Sequence, residues 1–88
     1  MMERFRLGAL ITTCGVVERI STDAVFIAIT RHAQGDWGDV DDHDRQVNER
    51  AVKDGSRLMS VYRDGTQVFW VITEANRSST TVILPEEY

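Results

Sequence analysis

The sequence predicts an α+β fold, a single small domain in which helices pack on one face of an antiparallel sheet. Three observations carry this. Apolar and polar residues alternate near the start and again from Ser56 onward, which is the period of a strand with one buried face. Between these regions lie three stretches opened by capping residues and closed by glycine or a polar turn. Asp64-Gly65 sits between two alternating runs and signals a hairpin. The 88 residues have room for one core, so 1–88 form one domain, with element order β-α-α-α-β-β-β.

In chain order, Phe5, Leu7, Ala9 and Ile11 alternate with Arg6, Gly8, Leu10 and Thr12, giving a first strand from Arg4 to Thr12. Thr13 is placed to cap a short helix over Cys14 to Ile20, and Ser21 or Thr22 a second one running to Ala33, with Gly35 as its stop. The middle of that second helix, AVFIAI, is apolar nearly all round, so it is expected at the centre of the fold. A third helix starts at Asp41 or Asp42, where acids suit the helix dipole, and runs through Lys53 to a stop at Asp54-Gly55. Its thin stripe of Val47, Ala51 and Val52 places it on the surface.

A two-residue turn at Asp64-Gly65 would pair Arg63 with Thr66, Val61 with Val68, Met59 with Trp70 and Arg57 with Ile72. This mostly apolar side is expected to receive the helices. The other side, with Ser60, Tyr62 and Thr73 among its residues, is mixed and becomes a candidate functional surface. A polar loop from Ala75 to Ser79 leads to a last strand, Thr80 to Leu84, stopped by Pro85, whose register stays open.

Composition bounds function. The formal charge of −4, with ten basic residues scattered rather than clustered, lacks the footprint of a general nucleic-acid binder. One cysteine, Cys14, excludes an internal disulfide. No apolar run approaches the ~20 residues of a membrane span, and the start does not read as a signal peptide, so the protein is expected in a bacterial-type cytoplasm.

The stretch HAQGDWGDVDDHD, residues 32 to 44, holds five aspartates and two histidines. It fails as a calcium loop, because counting from Asp39 puts Asp44 at the glycine position and Arg50 at the closing acid. His32 and His43 match no zinc spacing, so neither a metal nor a cofactor is expected. GDWG reads as a bend in which Trp37 plugs the core, and His32 as a packing or capping histidine in a last helical turn. No phosphate loop, nucleophile elbow or glycine-rich fingerprint is present.

TCGV, RHAQGDWGDV, Asn48, LMSVY and VITEANRSSTTVILPEEY together resemble a family of small bacterial proteins found on plasmids, integrative elements and prophages. The resemblance covers about Thr13 to Tyr88, and the family pattern carries Asp where this chain has Asn76. It implies a setting on a mobile element and dealings with host defence or element maintenance, without an assigned activity. The leading expectation is therefore an acidic, non-enzymatic accessory protein that binds another protein, such as a nucleic-acid-handling defence complex, through Asp39, Asp41, Asp42, Asp44 and Glu49. The alternative is a small metal-independent hydrolase, or a ribonuclease of barnase or RelE-like type, in which His32, Asp36, Asn48, Arg77 and Thr81 converge.

Overall fold

The computed structural model describes residues 3–88, so Met1 and Met2, part of the stretch judged not to be a signal peptide, lie outside the described residues. The elements are β1 (Ala9–Thr12), α1 (Cys14–Arg19), α2 (Thr22–Ala33), α3 (Asp42–Asp54), β2 (Leu58–Asp64), β3 (Gln67–Thr73) and β4 (Ser79–Ile83), followed by a 3-10 turn over Pro85–Glu87. This is the α+β class and element order that the sequence predicts.

Local chemistry sets the helix ends. Thr13 accepts the Val16 N–H, Ser21 the Ala24 N–H and Asp41 the Asp44 N–H, each satisfying a donor that the first turn leaves without a partner. Gly55, with φ +81, ends α3 in the left-handed conformation.

The sheet order is β1-β4-β3-β2, and β1 runs parallel to β4 while the other pairs are antiparallel. The sheet is therefore mixed rather than wholly antiparallel. The three helices between β1 and β2 form a crossover long enough to permit the parallel pair, which no tight turn could. β1 is also shorter than the expected run from Arg4. Gly8 takes φ +68, and a Cβ there would lie 2.4 Å from the Ser78 backbone, so the extended chain breaks and Phe5 turns toward Trp37 instead.

The hairpin turn is Gly65-Thr66 rather than Asp64-Gly65. Asp64 pairs with Gln67, and Gly65 adopts φ +61 at the first turn position, as a Gly-X turn requires. Asp64 is held in the strand because its carboxylate accepts the Ser21 N–H at 2.9 Å. The shift keeps each residue on its face but changes partners, so that Val61 faces Trp70 and Met59 faces Ile72.

The helices cover the opposite face from the one expected. Val16, Ile20 and Ala28 pack on Tyr62, Phe69, Val71 and Val82, while Met59, Val61 and Trp70 lie on the other face. The polar residues that made the first of these faces look like surface, Ser60 and Thr73, are buried because His32 of α2 supplies a partner for each, and Thr80 is buried beside them through its bond with Thr73. α2 is not central either. It forms the outer layer, with Phe26 64% and Ile27 60% exposed. On α3 the inward stripe contains Asn48 and Ala51, while Val47 is exposed. A second cluster of Trp37, Val40, Ala51 and Leu58, with Phe5, Val52 and Val61 against it, fills the end of the fold beside β2.

Candidate functional site

His32, on the last turn of α2, is fully buried between strands and rings. Its Nδ1 lies 2.5 Å from Ser60 Oγ and its Nε2 2.9 Å from Thr73 Oγ1. Thr73 Oγ1 lies 2.7 Å from Thr80 Oγ1, which donates to the Leu7 carbonyl at 2.7 Å. Each hydroxyl has one proton, so this last bond fixes all the others. Thr80 is committed to Leu7, hence Thr73 donates to Thr80, hence His32 Nε2–H donates to Thr73 and Ser60 donates to Nδ1. The imidazole is neutral, and burial, followed by the nearby Arg77 charge, pushes its pKa down to about 3. A histidine at a helix C-terminus is ordinarily favoured when charged; here desolvation wins.

Phe5 and Trp37 enclose the ring, at centroid distances of 5.2 and 5.7 Å. The GDWG bend delivers Trp37, which is 1% exposed. Gly38 takes φ +74, and a Cβ there would meet the Val61 carbonyl at 2.0 Å, so the backbone approach that joins Gly38 to Val61 requires glycine. Asp36 accepts two hydrogen bonds from Arg31, the principal cause of its lowered pKa. Tyr62 donates to the Asp36 carbonyl, and burial pushes its phenol pKa up.

Glu49 was expected as a contact for a partner. It instead accepts both Arg4 guanidinium N–H groups at 2.9 Å and the Trp37 indole N–H at 2.8 Å, and its pKa falls to about 2, chiefly through the Arg4 bonds. Its role is to tie the segment before β1 to α3 and the bend.

Arg77 is a clasp. Its Nη1 reaches the carbonyls of Ser56, Glu74 and Ala75 at 2.6, 3.1 and 3.4 Å, and its Nη2 that of Ala51 at 2.9 Å. The residue has φ +59, a left-handed conformation that costs a side-chain-bearing residue about 1–2 kcal/mol and is held here by these bonds. Arg77→Ala is expected to destabilise the protein by about 2–4 kcal/mol, since hydrogen bonds from a charged donor are worth ~1.5–3 kcal/mol each and their loss is partly offset by water. Urea denaturation of Arg77→Ala and Arg77→Lys tests this. The lysine should not restore stability, because one ammonium cannot span both carbonyl groups; near-normal stability in either variant would refute the clasp.

The five residues of the hydrolase reading do not converge. His32 is sealed in the core, Asp36 is exposed and paired with Arg31, and Asn48 bonds the backbone of Met59. Arg77 is occupied by carbonyls. Thr81 pairs with Ile72 on the face of the sheet away from His32.

The acidic stretch lies at the start of α3. Asp39 pairs with Arg63 at 3.0 Å, Asp41 is the cap, and Asp42 and Asp44 occupy the exposed first turn. Asp41, His43 and Asp44 bring one donor atom each within 4.8 Å of one another, all exposed, with an Asp41 oxygen committed to the cap. A shallow groove of about 190 Å³ lined by Asp44, Val47, Asn48, Arg57 and Met59 connects this turn with the half-buried face of the sheet opposite α1 and α2.

That face is what sequence reasoning missed. Across it run Val61, Trp70 and Ile83 in one row and Met59, Ile72, Thr81 and Ile11 in the next. Tyr88 leans edge-on against Trp70 at 5.4 Å, and Arg57 donates to its hydroxyl. The signal was available as the apolar set on one parity of β2 and β3, but it was read as core. Among the described residues, no helix is long and apolar enough to cross a membrane. No protein family, curated protein or solved structure matches this chain.

Proposed function

We propose that this is a small acidic accessory protein of a mobile element that binds another protein, using the half-buried sheet face opposite α1 and α2 as an apolar centre and the start of α3 as a negative rim. The observation that supports this is the face itself. An antiparallel sheet with one side packed on helices ordinarily presents polar residues on the other, whereas here Met59, Val61, Val68, Trp70 and Ile83 occupy it. An apolar patch with a charged border is the anatomy of a protein interface, and tryptophan is favoured at its centre. The exposed carboxylates of Asp42 and Asp44, paired with their surface neighbours Arg45 and His43, and Asp39 beside Arg63, suit a partner with a basic surface, such as a nucleic-acid-handling defence complex. Glu49 is structural and leaves the contacting set.

Affinity capture from a bacterial lysate, quantified by mass spectrometry, tests the proposal. A specific partner should be retained by the wild type and reduced at least tenfold by Trp70→Glu. Joint replacement of Asp41, Asp42 and Asp44 by Asn should act mainly on the association rate, with a difference that shrinks as salt is raised. Equal capture by all three proteins, each with a normal melting curve, would overturn it.

A further inference from the structure

We propose that β1 is the contact strand of a two-fold homodimer, in which two copies join their sheets edge to edge and close a shared apolar groove. This edge borders the face proposed above, with which it shares Ile11, while the groove beneath it lies on the helix side of the sheet. The two edges of the sheet differ. On β2, the Met59 N–H and C=O are both engaged by the Asn48 side chain, and those of Val61 by the Asp39 N–H and the Trp37 carbonyl. That edge is closed at Met59 and Val61. On β1, Ala9 and Thr13 donate to Ser78 and Val82 of the β4 side, at 3.0 and 3.2 Å. By strand alternation the N–H and C=O groups of Leu10 and Thr12 therefore point away from the sheet.

No described residue pairs with that edge. All four β1 residues are exposed, and ALIT contains none of the charges, prolines or bulges that ordinarily protect an open strand. Beneath it, α1 and α2 leave a groove of about 280 Å³ lined by Leu10, Thr12, Val16, Val17, Ile20, Val25, Phe26 and Ile29 among others. Val17 is 69% exposed and Phe26 64%.

A second copy of the chain fits this edge on three counts. Pairing requires outward-facing residues opposite each other, and antiparallel pairing of Leu10 with Thr12 of the copy, and Thr12 with Leu10, satisfies all four groups while placing Ile11 on the dyad against itself. The dyad is normal to the sheet, so both helix layers fall on one side and the two grooves face each other, bringing Val17 and Phe26 of each copy together. Leu10, Ile11, Val17 and Phe26 expose on the order of 400–500 Å² per copy; doubled, and with the strand backbone added, this reaches the ~1,000 Å² of a specific interface.

Sedimentation equilibrium of the full chain should give twice the 10.0 kDa chain mass at micromolar concentration. Ile11→Lys, which sets like charges opposite each other, and Phe26→Lys, on the helix side, should each raise the dissociation constant at least 100-fold; both positions are exposed, so the fold is retained. Ile11→Cys in a Cys14→Ser background should form an intermolecular disulfide under mild oxidation, because a directly opposed non-hydrogen-bonded pair has a Cα separation of about 4.5 Å, within disulfide range. Leu10→Cys, off the dyad, should not. A monomer at all concentrations, a dimer that survives either lysine variant, or crosslinking at position 10 rather than 11 would overturn the proposal.

Discussion

Trp37→Ala is expected to cost about 3–5 kcal/mol, a large share of the stability of a domain this size. The indole is fully enclosed, stacks on Phe5 at 6.0 Å, meets His32 edge-on and donates to Glu49. Truncation empties the centre of the second cluster and removes one of the two groups that hold Glu49. The bend cannot collapse to fill the space, because Gly38 is tied to Val61. Urea denaturation measures the loss, and Trp37→Phe should retain most of the packing while losing the bond to Glu49. A soluble Trp37→Ala protein within about 1 kcal/mol of wild type would show that the cluster does not depend on this ring.

The second large effect is acid destabilisation through His32. The unfolded chain binds a proton near the ordinary histidine value of 6.5, and the folded protein resists until about 3. The folded pKa is depressed, so the neutral imidazole gives its full contribution above 6.5, and stability falls as pH drops below it. At about 1.4 kcal/mol per pH unit, the interval from 6.5 to about 3 amounts to roughly 4–5 kcal/mol. Glu49, whose pKa is lowered from 4.5, weakens the fold in the same direction but only in more acid solution. Denaturation between pH 6.5 and 4.5 therefore isolates His32 and should show a loss of about 2–3 kcal/mol. A His32→Gln protein that keeps the same slope over this range would show that another group is responsible.

These two residues also mark what was legible in the sequence. The caps Thr13, Ser21 and Asp41, the stop at Gly55 and the role of Trp37 in its bend depend on near neighbours in the chain, and each is readable from spacing. The face of the sheet was not. Parity told which residues of β2 and β3 stand together, but the choice between the faces rested on polarity, and Ser60 and Thr73 count as surface until a histidine 28 residues before Ser60 is known to accept from one and donate to the other. Likewise Arg77 looked available to a catalytic site, because a backbone carbonyl leaves no trace in sequence. Glu49 looked like part of an acidic surface because Arg4, its partner, lies 45 residues away. Long-range pairing decided all three.

The closure of the β2 edge by Asn48 and the GDWG segment bears on how the protein behaves when concentrated. A sheet with two bare edges is a monomer for polymerisation, since each added copy exposes a new one and growth has no end. Among the described residues, β1 offers the longer unguarded stretch of strand while Met59 and Val61 of β2 are both engaged, so edge association is expected to stop once the β1 side is filled. Weakening the guard on β2, for instance by losing the amide of Asn48, would give each molecule a second adhesive end and turn a self-limiting contact into a route to fibres.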